Sequence, residues 1–195
     1  MKELKPIKIN LWILIYVFFI GLANPIIASD YDFVTLNALK EGELKSLIIH
    51  KDPQKIKPDS FLDPSQNEVH LDQFNGQVLV VNFWATWCAP CRKELPTLDR
   101  LQSHFNPEQV KIIVVHVGRT SAEVVSQFWQ ENQIQHIESY YDPKLKFSRS
   151  MSAIGLPTTV LITKEGEEFA RLLGDIEWDQ ENVIQILENV LDTNS

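Results

Sequence analysis

The residues best suited to chemistry in this 195-residue chain are its two cysteines, Cys88 and Cys91. They stand in the stretch Trp-Cys-Ala-Pro-Cys-Arg, with two residues between them. Two thiols at this spacing can cycle between a dithiol and a disulfide, and the thiolate form is the nucleophile. Because the chain has no other cysteine, it is not a small scaffold held together by several disulfides.

Three other uses of a cysteine pair fit this sequence less well. Covalent haem attachment requires a histidine directly after the second cysteine, and Arg92 stands there. A structural zinc site needs two further ligands, but the sequence has no second Cys-x-x-Cys and no His-x-x-x-His. A purely structural disulfide across four residues would constrain the unfolded chain very little. The spacing therefore favours redox chemistry.

The elements on either side of the pair predict how the sulfurs are positioned. Residues 78–84 are almost wholly apolar, which is typical of a central strand buried on both faces. The spacing of the apolar residues after it predicts a helix over about 89–104. Cys88 would lie at the N-terminus of this helix, where free N–H groups favour a thiolate, and Pro90 suits the first turn. Cys91 would face inward, one turn deeper, where it can resolve a mixed disulfide.

The remaining pattern alternates strands with helices and then closes with a hairpin and a helix. It predicts a mixed central β-sheet with helices on both faces, which is an α/β fold. A capping box over Thr120–Glu123 is expected to open a helix that buries Val124 and Val125. The other predicted elements are a strand over 110–115, a short element near 136–141, a helical segment near 143–151, a hairpin over 158–163 and 168–173, and a helix from about 179.

The N-terminal part predicts export from the cytoplasm. Three lysines precede an apolar run over 11–23 that resumes at 26–28. This is the pattern of a signal peptide, and it is marginally long enough for a membrane anchor. We therefore expect residues 1–28 to be a leader or an anchor, residues 29–57 a spacer with a short helix near 35–48, and residues 58–195 the folded domain. The domain would lie in the periplasm, tethered to the inner membrane by residues 11–28 or released by cleavage.

The charge of the chain argues against nucleic acid as a partner. It carries 26 acidic and 18 basic residues, for a formal net charge of −8. An acidic surface repels phosphate backbones.

Two motifs resemble a known family. The stretch Asn82–Pro96 (NFWATWCAPCRKELP) resembles the active-site signature of thioredoxin-like proteins of the TlpA/ResA/CcmG group, which are exported disulfide reductases. Gly155–Thr159 (GLPTT) resembles their cis-proline loop. The resemblance covers residues 58–192. It extends to the α-proteobacterial TlpA type through Ala38–Lys45 (ALKEGELK) and Gly174–Trp178 (GDIEW).

This resemblance implies a thioredoxin-like fold and assigns roles to catalytic residues. Cys88 is the implied nucleophile and Cys91 the resolving thiol. Glu94 is expected to relay a proton, although a solvated glutamate near a helix start is the alternative. Asn82 stands where thioredoxin has a buried aspartate, and since an amide cannot exchange protons, that route is absent or has moved to Glu94.

The resemblance also implies residues that bind the substrate protein. Pro157 is expected to be cis and to face the cysteines, so that the backbone of Leu156 can pair with a substrate strand. An ordinary trans turn proline is the alternative. Trp87 and Pro90 complete the predicted substrate-binding residues. Four further residues have open roles. Trp84 borders the sulfurs or lies in the core. Arg92 and Lys93 favour the thiolate or an acidic partner, or form a solvated helix face. His116 ends a strand on the same sheet edge as the cysteines and is a candidate neighbour of them.

The implied activity is the reduction of protein disulfides by a monomer that needs no cofactor beyond the Cys88–Cys91 pair and no metal. A membrane thiol-electron transporter would recharge it. The TlpA type implies as partners a Sco-type copper chaperone and the copper subunit of cytochrome oxidase. The neighbouring type in the same group implies apocytochrome c. Two other functions stay open: a copper-binding carrier of the Sco type, and a general oxidant of secreted proteins.

Overall fold

The computed structural model describes residues 32–192 of the chain. The predicted leader or anchor over 1–28 lies outside these residues, and within them no helix is long and apolar enough to cross a membrane. The helices are α1 (Phe33–Ala38), α2 (Ala89–His104), α3 (Ala122–Glu131), α4 (Lys146–Ser150) and α5 (Glu181–Asp192). The strands are β1 (Ile48–Lys55), β2 (Phe61–Leu62), β3 (Glu68–Val69), β4 (Val78–Trp84), β5 (Val110–Val117), β6 (Ser139–Asp142), β7 (Thr158–Ile162) and β8 (Glu167–Leu173).

The eight strands form one mixed sheet in the order β1-β8-β7-β4-β5-β6-β2-β3. Strand β4 runs parallel to β5 and antiparallel to β7, and β6 continues the parallel part next to β5. All seven residues of β4 are buried, as its uninterrupted apolar run predicts. The cysteines therefore follow directly after the C-terminal end of a strand in the middle of the sheet.

Both faces of the sheet are covered, which confirms the predicted mixed sheet with helices on both sides. Alternate residues of β4 enter two separate cores, with Val80 and Trp84 on one face and Val81 and Phe83 on the other. Helices α1, α2, α3 and α5 contribute to the first core, and Phe147 of α4 to the second. Asn82, on the first face, consequently points toward α2.

The segment before residue 58 differs from the expected spacer with a helix near 35–48. Its helix α1 ends at Ala38, a 3₁₀ turn covers Gly42–Ser46, and β1 then pairs antiparallel with β8 at the edge of the sheet. The pairing of β1 is irregular between Ile49 and Gln54, which accommodates Pro53 because a proline has no N–H for the ladder. The strand forms by contact with β8, which is distant in sequence, so local periodicity does not reveal it.

The predicted start of α3 is wrong by one residue. The N-cap is Ser121, whose hydroxyl accepts a hydrogen bond from the Val124 N–H at 3.4 Å, rather than Thr120. Val125 is buried as expected, but Val124 is half exposed.

Candidate active site

Cys88 and Cys91 form a disulfide at the start of α2, with their Cα atoms 5.3 Å apart. Cys88 is the N-cap residue, and its Sγ accepts a hydrogen bond from the Cys91 N–H at 3.3 Å. The sequence predicts this position. An N–H at the positive end of a helix stabilises negative charge on the sulfur that it contacts. The geometry therefore favours a thiolate on Cys88 when the disulfide is reduced.

The two sulfurs differ in how they can be reached. Cys91 has no exposed surface, whereas Cys88 keeps 5%. The residues that flank Cys88 are open to solvent: Trp87 is 76% exposed, and Ala89 and Pro90 are exposed as well. An incoming disulfide consequently meets Cys88 first, with Cys91 behind it.

Glu94 lies one turn beyond Cys91 and is buried, contrary to the solvated alternative. Its Oε1 accepts a hydrogen bond from Asn82 Nδ2 at 2.7 Å, and its Oε2 accepts one from Trp178 Nε1 at 2.9 Å. Burial raises the pKa of Glu94 to about 7, although the bonds from Trp178 and Asn82 act to lower it. A nearby negative charge on Asp175 adds to the rise. A carboxyl group with this pKa can give or take a proton near neutral pH.

Trp178 is a site residue that reasoning from the sequence missed. It follows β8 in the loop over 174–180, and its backbone N–H donates to the Thr97 hydroxyl at 2.9 Å, so the loop is attached to α2. The loop is also attached to the upstream segment, because the Glu177 N–H donates to Glu43 Oε2 at 3.2 Å. The sequence signal was the Gly174–Trp178 motif, which carries a resemblance without a stated role.

His116 supports the backbone that leads into Cys88. It lies opposite Trp84 in the β4–β5 ladder, and its Nε2 accepts a hydrogen bond from the Thr86 N–H at 3.2 Å. Its Nδ1 lies 3.3 Å from the Gly118 carbonyl, which fits a neutral ring protonated at Nδ1. Burial lowers the pKa of His116, which favours this neutral form. The side chain therefore holds the loop before Cys88 by its Thr86 contact.

Trp84 lies in the core rather than at the surface of the site. It is fully buried and packs against the rings of Phe128 and Trp129. Arg92 and Lys93 form an exposed helix face, and Lys93 Nζ lies 3.5 Å from Asp175.

The loop before β7 is the other side of the site. The Leu156–Pro157 peptide bond is cis, which confirms the expected geometry. Thr158, the next residue, pairs with Phe83 near the end of β4, and this register brings the loop to the edge of the sheet where Cys88 lies. Ile154 is 95% exposed. Leu156 is half buried and packs against the core that contains both cysteines.

Comparison with known proteins identifies the family. The family model described as Redoxin matches residues 51–187, which is more than half of the chain. The chain belongs to the Redoxin family. In this thioredoxin-like redox family the chemistry is carried by the protein's own cysteine pair, and the Cys-x-x-Cys pair here is Cys88 and Cys91.

One curated relative and two solved structures show which proteins this chain is similar to. This Redoxin-family chain is 30% identical over 105 residues to the thiol-disulfide oxidoreductase ResA of Bacillus subtilis, an alignment that covers 54% of this chain and 58% of ResA. The chain thus spans less than two thirds of the length of that relative. The structure of a secreted thiol-disulfide isomerase from Corynebacterium glutamicum matches with a TM-score of 0.66 at 22% identity, over 78% of this chain and 95% of that one. A putative thiol:disulfide interchange protein DsbE from Chlorobium tepidum matches with a TM-score of 0.61 at 23% identity, over 71% and 96%. These matches confirm the predicted thioredoxin-like fold.

The site thus combines a cysteine with a small exposed surface, a fully buried cysteine and a carboxyl group whose pKa is raised to about 7 by burial. Within residues 32–192 no group of three or more histidine, cysteine, aspartate or glutamate side chains is arranged to hold a metal ion. The arrangement is suited to exchange between the Cys88–Cys91 dithiol and the disulfide of another molecule.

Proposed function

We propose that this protein is a thiol:disulfide oxidoreductase that reduces disulfides in exported partner proteins. The observation that carries the proposal is the position of Cys88 at the N-cap of α2, with its Sγ 3.3 Å from the Cys91 N–H and Cys91 buried behind it. This arrangement provides a nucleophile that keeps a small exposed surface and a fully buried resolving thiol next to it.

The reaction proceeds by two successive exchanges. The Cys88 thiolate attacks one sulfur of the partner disulfide, forms a mixed disulfide and displaces the other partner sulfur, which takes up a proton. Cys91 then gives its proton to the Glu94 carboxylate, and its thiolate attacks Cys88 Sγ. This attack breaks the bond between Cys88 and the partner, and the released partner sulfur takes up a proton from solvent. The partner leaves as a dithiol, and the protein leaves as the Cys88–Cys91 disulfide. Two electrons have moved to the partner, and an external dithiol of the membrane thiol-electron transporter type restores them.

Several residues are proposed to hold the partner during this exchange. Trp87 and Pro90 offer exposed surface directly beside Cys88, and Leu156 and Pro157 lie on the loop next to the end of β4. An extended partner segment lying across these residues would bring its disulfide against Cys88.

The proposed location is the periplasm, with residues 1–28 as leader or anchor and the protein acting as a monomer. The similar structure from Corynebacterium glutamicum is described as that of a secreted thiol-disulfide isomerase, which is in keeping with redox chemistry outside the cytoplasm. The proposed partners follow the TlpA type: a Sco-type copper chaperone and the copper subunit of cytochrome oxidase, with apocytochrome c as the alternative. Support for this type comes from its two motifs, which lie side by side through the contact between Glu43 and Glu177.

A redox titration of the cysteine pair against glutathione tests the direction of electron flow. We expect a potential more negative than about −220 mV, close to that of reducing thioredoxins. A value near about −120 mV would instead indicate an oxidant of secreted proteins. Insulin reduction should be lost in Cys88→Ser. Tight Cu(I) binding without turnover would favour the copper carrier and overturn the proposal.

Partner choice is tested with Cys91→Ser, which halts the reaction at the mixed disulfide. The purified, oxidised soluble domains of the chaperone and of the oxidase subunit are compared with apocytochrome c. We expect the copper proteins to be trapped fastest, and the double variant Cys88→Ser/Cys91→Ser to trap none. Faster trapping of apocytochrome c would replace the first partner assignment with the second.

A further inference from the structure

The two oxygens of the Glu94 carboxyl group have hydrogen-bond donors of different kinds. Oε2 faces the indole N–H of Trp178 at 2.9 Å, and Oε1 faces the amide nitrogen of Asn82 at 2.7 Å. An indole can only donate, whereas a carboxamide has a donor end and an acceptor end. When Glu94 takes up a proton, the new O–H needs an acceptor, and of these two partners only Asn82 can provide one.

The surroundings of Asn82 allow its side-chain amide to rotate by a half turn, so that Oδ1 and Nδ2 exchange positions. In the structure, Asn82 Nδ2 donates to Glu94 Oε1 and also to Thr159 Oγ1, at 2.9 Å. Asn82 Oδ1 is buried and has no hydrogen-bond partner among the described residues. A half turn of the amide keeps its shape and places Oδ1 where Nδ2 stands. Oδ1 can then accept from a protonated Glu94 and from the Thr159 hydroxyl, whose hydrogen rotates freely. Each orientation leaves one amide end unpaired, so neither holds a large advantage.

We infer that Asn82 is a positioning residue that turns its amide when Glu94 gains or loses its proton, so that the proton resides on Oε1 while Trp178 stays fixed on Oε2. This inference rests on the proposed function only where it concerns turnover, during which the amide turns once for each proton that Glu94 takes from Cys91. Asn82 itself exchanges no proton. It lowers the cost of burying Glu94 in either charge state, because a buried polar group without a partner is costly.

Few other charges act on this carboxyl group. Asp175, in the loop after β8, raises the pKa of Glu94, and the cation nearest to Asp175 is Lys93 on α2 itself, at 3.5 Å. The groups that donate hydrogen bonds to Glu94 carry no charge: the Asn82 amide on β4, and the Trp178 indole and the Ile176 backbone N–H in the loop after β8. In the oxidised protein the two cysteines do not titrate. A pH titration of the disulfide form therefore follows Glu94 without interference from the thiols.

The test uses nuclear magnetic resonance on the oxidised protein between pH 4 and pH 9. The ¹³C shift of the Glu94 carboxyl and the ¹H and ¹⁵N shifts of the Asn82 side-chain amide are followed together, with Glu94→Gln and Asn82→Leu providing the assignments. We expect both groups to change with one midpoint near 7. A Glu94 titration that leaves the Asn82 amide unchanged would overturn the inference. So would a Glu94 midpoint near its ordinary value of 4.5.

Two tryptophan variants test whether Trp178 is a fixed donor to Glu94 while the Asn82 amide turns. Trp178→Phe removes one donor from the carboxylate, so we expect both midpoints to rise together by about one pH unit. The matched control is Trp129→Phe, which removes an indole N–H that donates to the Ile137 carbonyl at 2.9 Å, and it should leave both midpoints in place. If Trp178→Phe abolishes the response of Asn82 while Glu94 still titrates, Trp178 is not a fixed anchor and the inference fails. The wild-type titration decides the matter even if Trp178→Phe does not fold.

Activity measurements keep this inference distinct from the proposed function. If the protein reduces disulfides but Asn82 does not follow Glu94, the inference alone fails. If Asn82 follows Glu94 in a protein without reductase activity, the proposed function alone fails. Where both hold, Asn82→Leu should displace the pH profile of the second exchange toward higher pH, in parallel with the Glu94 midpoint.

Discussion

Two glutamates of this protein are almost equally buried and behave in opposite ways. Glu94 on α2 is 1% exposed, and burial raises its pKa to about 7. Glu168 on β8 is 3% exposed. Burial acts to raise the pKa of Glu168 as well, but hydrogen bonds and charge from Arg171 and His50 outweigh it, so that the pKa is lowered.

The partners of Glu168 are an arginine and a histidine that are held close to its carboxyl group. Arg171 Nε and Nη2 donate to its two carboxylate oxygens at 2.6 Å each, and His50 Nε2 lies 2.8 Å from Oε1. Residues three apart on a strand normally face opposite sides, but the β7–β8 register shifts between Ala170 and Glu168, which places Glu168 and Arg171 together. Arg171 Nη2 also lies 3.3 Å from the carbonyl of Met151, in the segment that leads to the cis-proline loop.

The comparison shows that the partners of a buried carboxyl group, together with its burial, decide what it can do. Glu94 has only neutral donors, so its charge is poorly compensated and its proton can leave or return near neutral pH. Glu168 has a guanidinium, so it stays charged and joins β1, β8 and the segment at Met151. One glutamate is suited to chemistry and the other to structure.

The largest effect is expected from Arg171→Met, which leaves Glu168 as a buried charge without its main partner. We expect the free energy of unfolding at pH 7 to fall by about 3–4 kcal/mol, toward the lower end for a broken buried pair because Arg171 is partly exposed. Urea denaturation measures this change. The control is Glu168→Leu/Arg171→Met, which removes both charges and should be clearly more stable than Arg171→Met. Equal stability of the two variants would show that the loss comes from packing.

The pH dependence of stability should have opposite signs at the two glutamates. Because the folded pKa of Glu94 lies above its ordinary value, its contribution to stability is present below about pH 4.5 and is lost as pH rises through about 7, a change of about 3 kcal/mol. Glu94→Gln should abolish this decline in the oxidised protein. Glu168 has a lowered pKa, so its contribution is present above the ordinary value and is lost as pH falls.

Denaturation curves of Glu94→Gln and Glu168→Gln between pH 3 and pH 9 measure both contributions. Relative to the wild type, Glu94→Gln should gain stability toward high pH, and Glu168→Gln should lose it. The same sign in both variants would refute the contrast.

Catalysis should depend on one of the two glutamates only. Glu94→Gln cannot take the proton of Cys91, so we expect the rate of disulfide reduction near neutral pH to fall by about 10- to 100-fold. The variant should also lose the limb of the pH–rate profile that Glu94 provides. Stopped-flow measurement of mixed-disulfide resolution isolates this step. Glu168→Gln serves as the matched control, and a similar loss of rate in that variant would argue against a proton-transfer role for Glu94.

The smallest effect is expected from His50→Ala, which removes a secondary partner of Glu168. Arg171 still satisfies both carboxylate oxygens, so we expect a loss of about 1 kcal/mol in the free energy of unfolding. Thermal denaturation at pH 7 checks this value. A loss as large as that of Arg171→Met would mean that β1 depends on His50 far more than its distance to Glu168 suggests.

The same contrast explains what the sequence predicts and what it does not. Local patterns predict β4, α2 and the hairpin, because each has a signal within a short stretch of sequence. These signals are a continuous apolar run for β4, helical spacing of apolar residues for α2, and turn residues for the hairpin. They also place Cys88 at a helix start. The environment of Glu94 depends on Trp178, 84 residues away in a loop, and no spacing rule connects the two.

The edge strand and the Glu168 cluster are missed for a related reason. Strand β1 is charged and contains Pro53, and it is stabilised by pairing with β8 more than a hundred residues later. The shift in the β8 register that aligns Glu168 with Arg171 has no local signature either. Contacts between distant segments therefore decide the charge states of both glutamates.

The thiol pKa of Cys88 in the reduced protein tests the central claim most directly. The rate of iodoacetamide alkylation at Cys88 is measured against pH and assigned by mass spectrometry. A midpoint below about 7.5 is predicted, because the thiolate at the N-cap is stabilised by the N–H groups of α2. A midpoint near about 8.5, the value of a free cysteine, would contradict the assignment of Cys88 as an activated nucleophile.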